Sequence, residues 1–194
     1  MIVTKKKEKK VSWLKRITYI IIALGIILIA SYAYLKNAFP IKYSNYVDYF
    51  SLEYDLDKYL VYSIIKIESN FNEVAISNKG AVGLMQIMPE TGEWISQKMG
   101  MLYYTEDMLV DTETNIKMGC FYLNDLAEEF HEDINLMLAA YNGGRGNVKN
   151  WLGNPEYSDD GRNLSNIPFK ETSDYLIKVK MSYRIYKFLY RWEA

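Results

Sequence analysis

Residues 61–69, Val-Tyr-Ser-Ile-Ile-Lys-Ile-Glu-Ser, carry the pattern that decides the fold. Val61, Ile64, Ile65 and Glu68 recur at positions i, i+3, i+4 and i+7, which is the spacing of the buried face of a helix. The last member of this series is a carboxylate instead of an aliphatic side chain. Burial raises the pKa of a carboxyl group, and a carboxyl that is protonated near neutral pH can act as a general acid. The same spacing also fits an acid that turns to water at a helix end, so the pattern alone leaves both interpretations open.

The sequence around this segment predicts further helices, separated by turn-rich loops, with no repeats and no convincing strand hairpins. The first helix is expected from about residue 57 to 69, and later ones over 89–99, 112–130, the stretch from Asp133 to Gly143-Gly144, and 171–192. Pro89 suits the first position of a helix, Gly100 a C-terminal stop and Asp133 an N-cap. The expected fold class is therefore mainly all-α, in a single domain.

The composition is that of a globular protein, because 49% of the 194 residues are hydrophobic and 24% are charged. Residues 1–16 hold seven Lys or Arg against one acid, so the other 178 residues carry a net charge of −7. An acidic main domain argues against nucleic acid as a partner, since phosphate binding requires clustered cations. Cys120 and His131 are the only residues of their types, so no internal disulfide, His-based zinc site or Ser/His/Asp triad is expected.

Residues 17–35 contain no charged side chain and are rich in Ile, Leu and Ala. A helix of this length spans roughly 28 Å at about 1.5 Å per residue, close to the thickness of the hydrocarbon core of a membrane. The basic cluster on its N-terminal side predicts a cytoplasmic tail at 1–16, a single transmembrane anchor at 17–35 and an exterior chain from about residue 36. A signal peptide cleaved near Ala33 is the alternative, and a buried core helix is a third, weaker reading.

Two further segments place polar side chains among apolar and glycine residues. The stretch 77–89 is a glycine-punctuated turn that leads into an apolar run containing Gln86, an amide that needs hydrogen-bond partners if it is buried. The stretch 139–144 brings Tyr141 and Asn142 to a helix end that two glycines follow. Either segment alone also fits ordinary structure, namely an amide bonded to backbone or an Asn that caps its helix.

In combination the motifs are more specific, because four of them occur in order: Glu68-Ser69, Gly83-Leu84-Met85-Gln86-Ile87-Met88-Pro89-x-Thr91, Ala139-Ala140-Tyr141-Asn142-Gly143-Gly144, and Glu171-Thr172-x-x-Tyr175-Leu176-x-Lys178-Val179. This series resembles the catalytic domain of the soluble lytic transglycosylases, a lysozyme-like fold related to goose-type lysozyme. The resemblance covers about residues 54–190. It suggests a connector at 36–53 and a catalytic domain at 54–194. Gly143 stands where the family often has Ala, and Arg145 occupies a variable position.

The resemblance implies that Glu68 is the catalytic residue. It also implies a set of substrate-binding residues: Ser69, Ser77, Met85, Gln86, Tyr141, Asn142 and Tyr175. In this family one carboxyl acts as acid and then as base, cleaving between N-acetylmuramic acid and N-acetylglucosamine to leave a 1,6-anhydro end, and no metal or organic cofactor is needed. Two alternatives stay open, a goose-type muramidase that admits water and an inactive wall-binding or scaffolding domain. The implied partners are peptidoglycan glycan strands and the membrane at residues 17–35, with machinery for wall synthesis, division or secretion as further candidates.

Overall fold

The computed structural model describes residues 2–192 of the chain, with side chains from residue 13 onward. Within these residues the chain forms eight α-helices and one 3-10 helix, and extended pairing is limited to two isolated β-bridges, so the predicted all-α class is confirmed. The basic side chains at 5–10 and the last two residues of the predicted domain lie outside this description. The α-helices are α1 (Ile2–Ala38), α2 (Ser44–Glu53), α3 (Lys58–Glu68), α4 (Pro89–Lys98), α5 (Thr112–Glu129), α6 (Ile134–Gly143), α7 (Arg145–Leu152) and α8 (Lys170–Tyr190).

The chain divides into two compact units, residues 1–40 and 41–194. The first unit is α1, whose segment Trp13–Ala38 contains an 18-residue window with a mean hydropathy of 2.2, none of it buried. A segment of this length and composition can cross a bilayer, and it contains the run 17–35 that the sequence singles out. The reading of this run as a buried core helix is not supported, because a core helix is covered by other elements.

Helix α2 was not anticipated, because residues 44–53 fall within the predicted connector. Val47 and Phe50 lie three residues apart and are 0% and 3% exposed, so one face of this short helix is buried. It packs against α3 and α5 in the second unit. Only residues 39–43 separate it from α1.

Helices α3 and α8 pack against each other along the centre of the second unit. The buried face predicted for α3 is confirmed, since Val61, Ile64 and Ile65 are fully buried. Asp57 caps α3 by accepting a hydrogen bond from the backbone N–H of Tyr59 at 2.9 Å. Its carboxylate also accepts bonds from the hydroxyl of Tyr183 at 2.6 Å and the ammonium group of Lys187 at 3.1 Å. The start of α3 is thereby fastened to α8, which sets the register that brings the far end of α3 to the N-terminal half of α8.

Helix α5 is a central packing element, as its apolar spacing predicts. It contacts α2, α4 and α6, and five of its side chains are fully buried: Ile116, Met118, Cys120, Leu123 and Leu126. Burial raises the pKa of the Cys120 thiol well above its usual range, so this side chain is an inert part of the core. His131 is exposed just beyond the end of α5.

Candidate active site

Glu68 is the last residue of α3, and Ser69 forms the C-cap of the helix. The two residues that follow reverse the chain with positive φ angles, 51° at Asn70 and 63° at Phe71. Phe71 is only 5% exposed, so burial of its ring in the core holds a backbone conformation that bulky L-residues rarely adopt. Strained backbone of this kind persists where the surrounding structure over-determines it. The turn fixes the position of Glu68 at the C-terminal end of α3, where its side chain is close to Tyr175 of α8.

The Glu68 carboxyl is mostly enclosed but keeps an opening to solvent. Burial raises its pKa from 4.5 to about 7; the Tyr175 hydroxyl acts in the opposite direction, and the negative charge of Glu171 adds to the increase. Desolvation is therefore the dominant cause. A carboxyl with a pKa near 7 is present in both protonation states at neutral pH, which is the condition for giving and then taking a proton.

Two tyrosines interact electrostatically with Glu68. Tyr175 of α8 is 6% exposed, and its buried hydroxyl has no hydrogen-bond partner of regular geometry among the described residues. Tyr141, near the end of α6, donates its hydroxyl to the carbonyl oxygen of Met85 at 2.7 Å. Burial, followed by the charge on Glu68, raises the pKa of both phenols well above 10, so both remain neutral donors at physiological pH.

The glycine-punctuated loop before α4 is fastened to α5 by Asn115, which is 1% exposed. Its amide nitrogen donates to the carbonyl oxygens of Val82 at 3.0 Å and Leu109 at 2.8 Å, and its amide oxygen accepts from the Met85 N–H at 2.8 Å. Gly83 has a φ of 81°, and a Cβ there would lie 2.2 Å from the Asn115 amide nitrogen. No other residue type fits this position, so the glycine of the motif serves the close approach between loop and helix.

Gln86 adopts a φ of 49° within this loop and is partly exposed. Its amide nitrogen donates to the carbonyl oxygens of Ala75 at 3.1 Å and Gly83 at 2.8 Å. An amide nitrogen has two N–H groups, and both are used here. The amide oxygen is the part of Gln86 that remains for a ligand.

The side chain of Met85 does not join the group around Glu68. It is fully buried and packs against α5 so tightly that a Cβ on Gly119 would lie 2.3 Å from its sulfur. Its contribution to the site comes from its backbone, which bonds Asn115 and Tyr141. Met88, which the sequence analysis did not select, is the partly exposed methionine of this run.

The two predicted serines have local roles in the structure. The hydroxyl of Ser69 donates to the Ile65 carbonyl oxygen at 3.2 Å, within its own helix. The hydroxyl of Ser77 accepts from the Ala81 N–H at 2.9 Å and closes the glycine turn. Both side chains are partly exposed, so each has access to solvent beside its internal bond.

Asn142 follows Tyr141 at the end of α6, and its amide oxygen accepts a hydrogen bond from the buried Thr172 hydroxyl at 2.9 Å. This bond leaves the amide nitrogen as the free part of the side chain. The departure at Gly143 has a steric correlate, because a Cβ there would lie 3.0 Å from the Thr172 hydroxyl and 3.2 Å from Trp151. An added methyl group at Gly143 would press on Thr172, the residue that orients Asn142.

A cavity of about 370 Å³ contains side chains that sequence reasoning missed. Trp94 of α4 and Tyr122 of α5 line it, and the Arg145 guanidinium lies 4.5 Å and 5.4 Å from their ring centres. Arg145 also forms ion pairs with two acids, Asp125 and Glu129. The Tyr122 ring is 5.5 Å from that of Tyr141, which connects the cavity to the group around Glu68. A Trp on the polar side of a predicted amphipathic helix is the signal that could have indicated this surface.

Three other carboxylates that could be considered for a catalytic role are exposed, unlike Glu68. Glu73 is exposed and accepts bonds from the hydroxyls of Tyr43 at 3.3 Å and Thr112 at 3.0 Å. Glu90 is exposed at the rim of the 370 Å³ cavity, and Glu171 forms an exposed ion pair with Lys79 at 2.8 Å. Over residues 2–192, no group of three His, Cys, Asp or Glu side chains is arranged to hold a metal ion.

The sequence of the chain is similar to those of known proteins. Residues 45–163 match the family model of the transglycosylase SLT domain. The chain is 33% identical over 155 residues to the soluble lytic murein transglycosylase of Escherichia coli (strain K12), which covers 79% of this chain and 24% of that protein. It is 34% identical over 116 residues to the membrane-bound lytic murein transglycosylase C of Photorhabdus laumondii, covering 55% of this chain and 32% of that protein.

Solved structures agree with the sequence matches. The 70-kDa soluble lytic transglycosylase of Escherichia coli superposes with a TM-score of 0.70 at 30% identity, over 79% of this chain and 25% of that one. An inactive mutant of the lytic transglycosylase Slt from Pseudomonas aeruginosa, with glutamine in place of a glutamate, gives the same TM-score and identity. The chain thus spans about a quarter of the length of these soluble relatives. With more than half of its residues matched by the family model and its helices arranged as in solved members, the chain belongs to the transglycosylase SLT domain family.

Proposed function

We propose that this protein cleaves peptidoglycan glycan strands as a lytic transglycosylase, with Glu68 as both the acid and the base. The observation that carries the proposal is a single carboxyl with a pKa of about 7, beside two neutral tyrosines. Glycosidases that use water commonly need two carboxyls, about 5–10 Å apart. Glu73 and Glu90 are exposed, the first bonded to Tyr43 and Thr112 and the second at the rim of the 370 Å³ cavity. Glu171, whose charge acts on Glu68, is exposed and paired with Lys79. With one carboxyl, the substrate itself supplies the nucleophile.

The reaction then has two proton transfers through Glu68. The protonated carboxyl donates its proton to the oxygen between N-acetylmuramic acid and N-acetylglucosamine, and the bond from that oxygen to the anomeric carbon breaks. The 2-acetamido oxygen of the muramic acid bonds to the anomeric carbon and holds the electron-deficient centre. The Glu68 carboxylate next takes the proton of the C6 hydroxyl, whose oxygen displaces the acetamido group. The product is a 1,6-anhydro ring, and Glu68 is protonated again.

The surrounding side chains suit the binding of such a glycan. Gln86 offers an amide oxygen and Asn142 an amide nitrogen, so hydroxyl and N-acetyl groups find both an acceptor and a donor. The Tyr175 hydroxyl, which lowers the pKa of Glu68, is placed to bond the Glu68 carboxylate once it has lost its proton. Trp94 and Tyr122 present aromatic surfaces of the kind on which sugar rings pack. Met85 holds the loop through the bonds of its backbone with Asn115 and Tyr141. Ser77 holds it by closing the glycine turn.

The test is product analysis with matched variants. We expect Glu68→Gln to abolish release of glycan fragments from purified peptidoglycan, because the isosteric amide cannot cycle a proton. The inactive glutamate-to-glutamine mutant of the Pseudomonas aeruginosa relative is in keeping with this expectation. Glu128→Gln, at an exposed acid on α5 outside the 370 Å³ cavity, is the control and should retain cleavage. Mass spectrometry of wild-type products should show anhydro ends; products heavier by one water would identify a hydrolytic muramidase, and an inactive wild type would favour the scaffolding alternative.

We further propose that α1 anchors the protein in the cytoplasmic membrane as a single span, with the basic tail in the cytoplasm and the catalytic unit outside. The apolar segment Trp13–Ala38 and the existence of membrane-bound relatives support this arrangement. Cell fractionation checks it: the full chain should remain with membranes and lose the residues after about 36 to external protease. A soluble mature form that begins near Tyr34 would show that the segment is a cleaved signal peptide. Machinery for wall synthesis, division or secretion is the natural partner of an enzyme so placed.

A further inference from the structure

Charge is strongly segregated in the second unit. Residues 170–192, which include α8, contain six Lys or Arg and two Asp or Glu, whereas residues 41–169 contain nine Lys or Arg and twenty Asp or Glu. An acidic body with one basic helix is not explained by solubility alone. The basic helix is the region that an anionic surface would attract.

The outward face of α8 combines these cations with a continuous apolar stripe. Ile177, Met181, Phe188 and Trp192 recur at spacings of four, seven and four residues, and they are 60% to 82% exposed. These spacings keep the first three side chains on one face of α8, and Trp192 follows just beyond the end of the helix. Isolated exposed apolar residues are ordinary, but a stripe along about three turns of a helix is typical of a surface that is covered in the working state.

Two cations border this stripe and are available for a ligand. Arg184 lies between Met181 and Phe188 on the helix surface and forms no ion pair with any described residue. Arg191 is exposed, and its guanidinium lies 4.9 Å from the centre of the Trp192 ring. A cavity of about 340 Å³ opens along this face, lined by Ile177, Met181 and Arg184 among others. Apolar side chains beside cations are the pattern of a helix that lies in the interface of a membrane.

We propose that the outward face of α8 docks onto the surface of the membrane, with Arg184 and Arg191 bound to anionic phospholipid headgroups and the apolar stripe in the headgroup boundary. The inference rests on the proposed anchoring through α1. Five residues, 39–43, separate the anchor helix from the catalytic unit, so their extended length of less than about 20 Å keeps that unit near the bilayer. Tethering of this kind raises the effective concentration of a weak docking face.

The docked state is compatible with catalysis. The buried side chains of α8, including Tyr175, Val179 and Tyr186, lie on the opposite side of the helix from Ile177 and Met181. The face toward Glu68 and the face toward the lipid are therefore different faces of the same helix. Docking directs the enzyme to glycan strands close to the membrane instead of the outer layers of the wall.

The experiment uses the full chain in proteoliposomes that contain brominated lipid, with an environment-sensitive thiol probe at Met181→Cys. Cys120 is fully buried, so the introduced thiol is the reactive one. Leu28→Cys, on the anchor, and Leu102→Cys, in a fully exposed loop, are the positive and negative positions. We expect quenching at 28 and 181 but not at 102 in vesicles that contain phosphatidylglycerol, and weak quenching at 181 in pure phosphatidylcholine.

Neutralising the cations provides the second arm. Each cation near an anionic surface changes association about fivefold, so Arg184→Gln with Arg191→Gln should reduce the docked population about 25-fold and remove the quenching at 181. Lys98→Gln with Arg162→Gln, two exposed cations elsewhere, should leave it unchanged. Quenching at 28 without quenching at 181 would overturn the docking proposal and leave the anchor intact, whereas no quenching at 28 would refute the anchor itself. Quenching at 181 that is equal in neutral and anionic vesicles would also overturn the assigned role of the cations.

Discussion

Replacement of Glu68 by glutamine should stabilise the fold while it removes activity. The folded-state pKa of about 7 lies above the ordinary 4.5, so ionisation of Glu68 is less favourable in the folded protein than in the unfolded chain. The penalty is small below about pH 4.5, where the carboxyl is largely protonated in both states, grows as the pH rises from about 4.5 to about 7, and is complete above that. Glutamine does not ionise, so the Glu68→Gln protein lacks this free-energy penalty.

The size of the effect follows from the shift. A difference of one pKa unit corresponds to about 1.4 kcal/mol, so the full penalty at alkaline pH is at most about 3.5 kcal/mol. Because the site is open to solvent, about 2 kcal/mol is the expected value. For a folded unit of this size, 1 kcal/mol changes the melting temperature by about 2–4 °C. The Glu68→Gln protein should therefore melt roughly 4–8 °C above wild type at about pH 8.5 and nearly with it at about pH 4.5.

The assay is thermal unfolding of the detergent-solubilised full chain, followed by far-UV circular dichroism at the two pH values. Glu128→Gln, at an exposed position on α5, controls for loss of a surface charge and should show little difference at either pH. A Glu68→Gln protein that melts below wild type at alkaline pH, or that gains the same amount at both pH values, would refute the argument that burial destabilises the ionised carboxyl.

Three further predictions concern the neighbours of Glu68 and the loop beside it. Tyr175→Phe removes a group that lowers the pKa of Glu68, so the alkaline limb of the pH–rate profile should move to higher pH. Glu171→Gln removes a charge that raises this pKa, so the same limb should move to lower pH. Shifts of both variants in the same direction would contradict the assignment. Tyr141→Phe deprives a loop carbonyl of its donor and should lower the free energy of unfolding by about 1–3 kcal/mol in denaturant titrations, unless water replaces the donor. Asn115→Ala removes three buried hydrogen bonds and should reduce both stability, by about 2–4 kcal/mol, and glycan cleavage; full cleavage would show that the loop needs no such fastening.

The elements that were predicted well are those with a long pattern or a strong cap. The apolar spacing of α3 and α5 and the stop at Gly100 all appear in the structure, because each rests on interactions within a few residues. Helices α2 and α7 were missed because each has at most ten residues, and two or three buried side chains leave too short a periodic signal. Their existence depends on tertiary packing, which residue spacing does not contain.

The structure brings Glu68, Tyr141 and Tyr175 together, as the motifs suggest, but the sequence does not give the contacts that each residue makes. The grouping of Glu68 with Tyr141 and Tyr175 required the motif resemblance, since these residues lie on three different helices. Motif membership could not reveal that Met85 turns its side chain into the core and contributes through its backbone. Asn115 was missed because a buried Asn on an apolar helix face reads as an interruption until its three partners are known.

The two amides of the site, Gln86 and Asn142, are locked in opposite orientations. Gln86 has both N–H groups bonded to backbone carbonyl oxygens, which only accept, so its amide cannot flip, and the Asn142 oxygen accepts from the Thr172 hydroxyl. In the proposed complex, Gln86 therefore presents an acceptor, and not a donor, before any substrate binds. In the proposed complex, a sugar without its N-acetyl group would present an ammonium group, which only donates, to the Asn142 N–H groups, which also only donate. Under the proposed binding mode, the orientation of the Asn142 amide therefore favours N-acetylated glycan over deacetylated glycan.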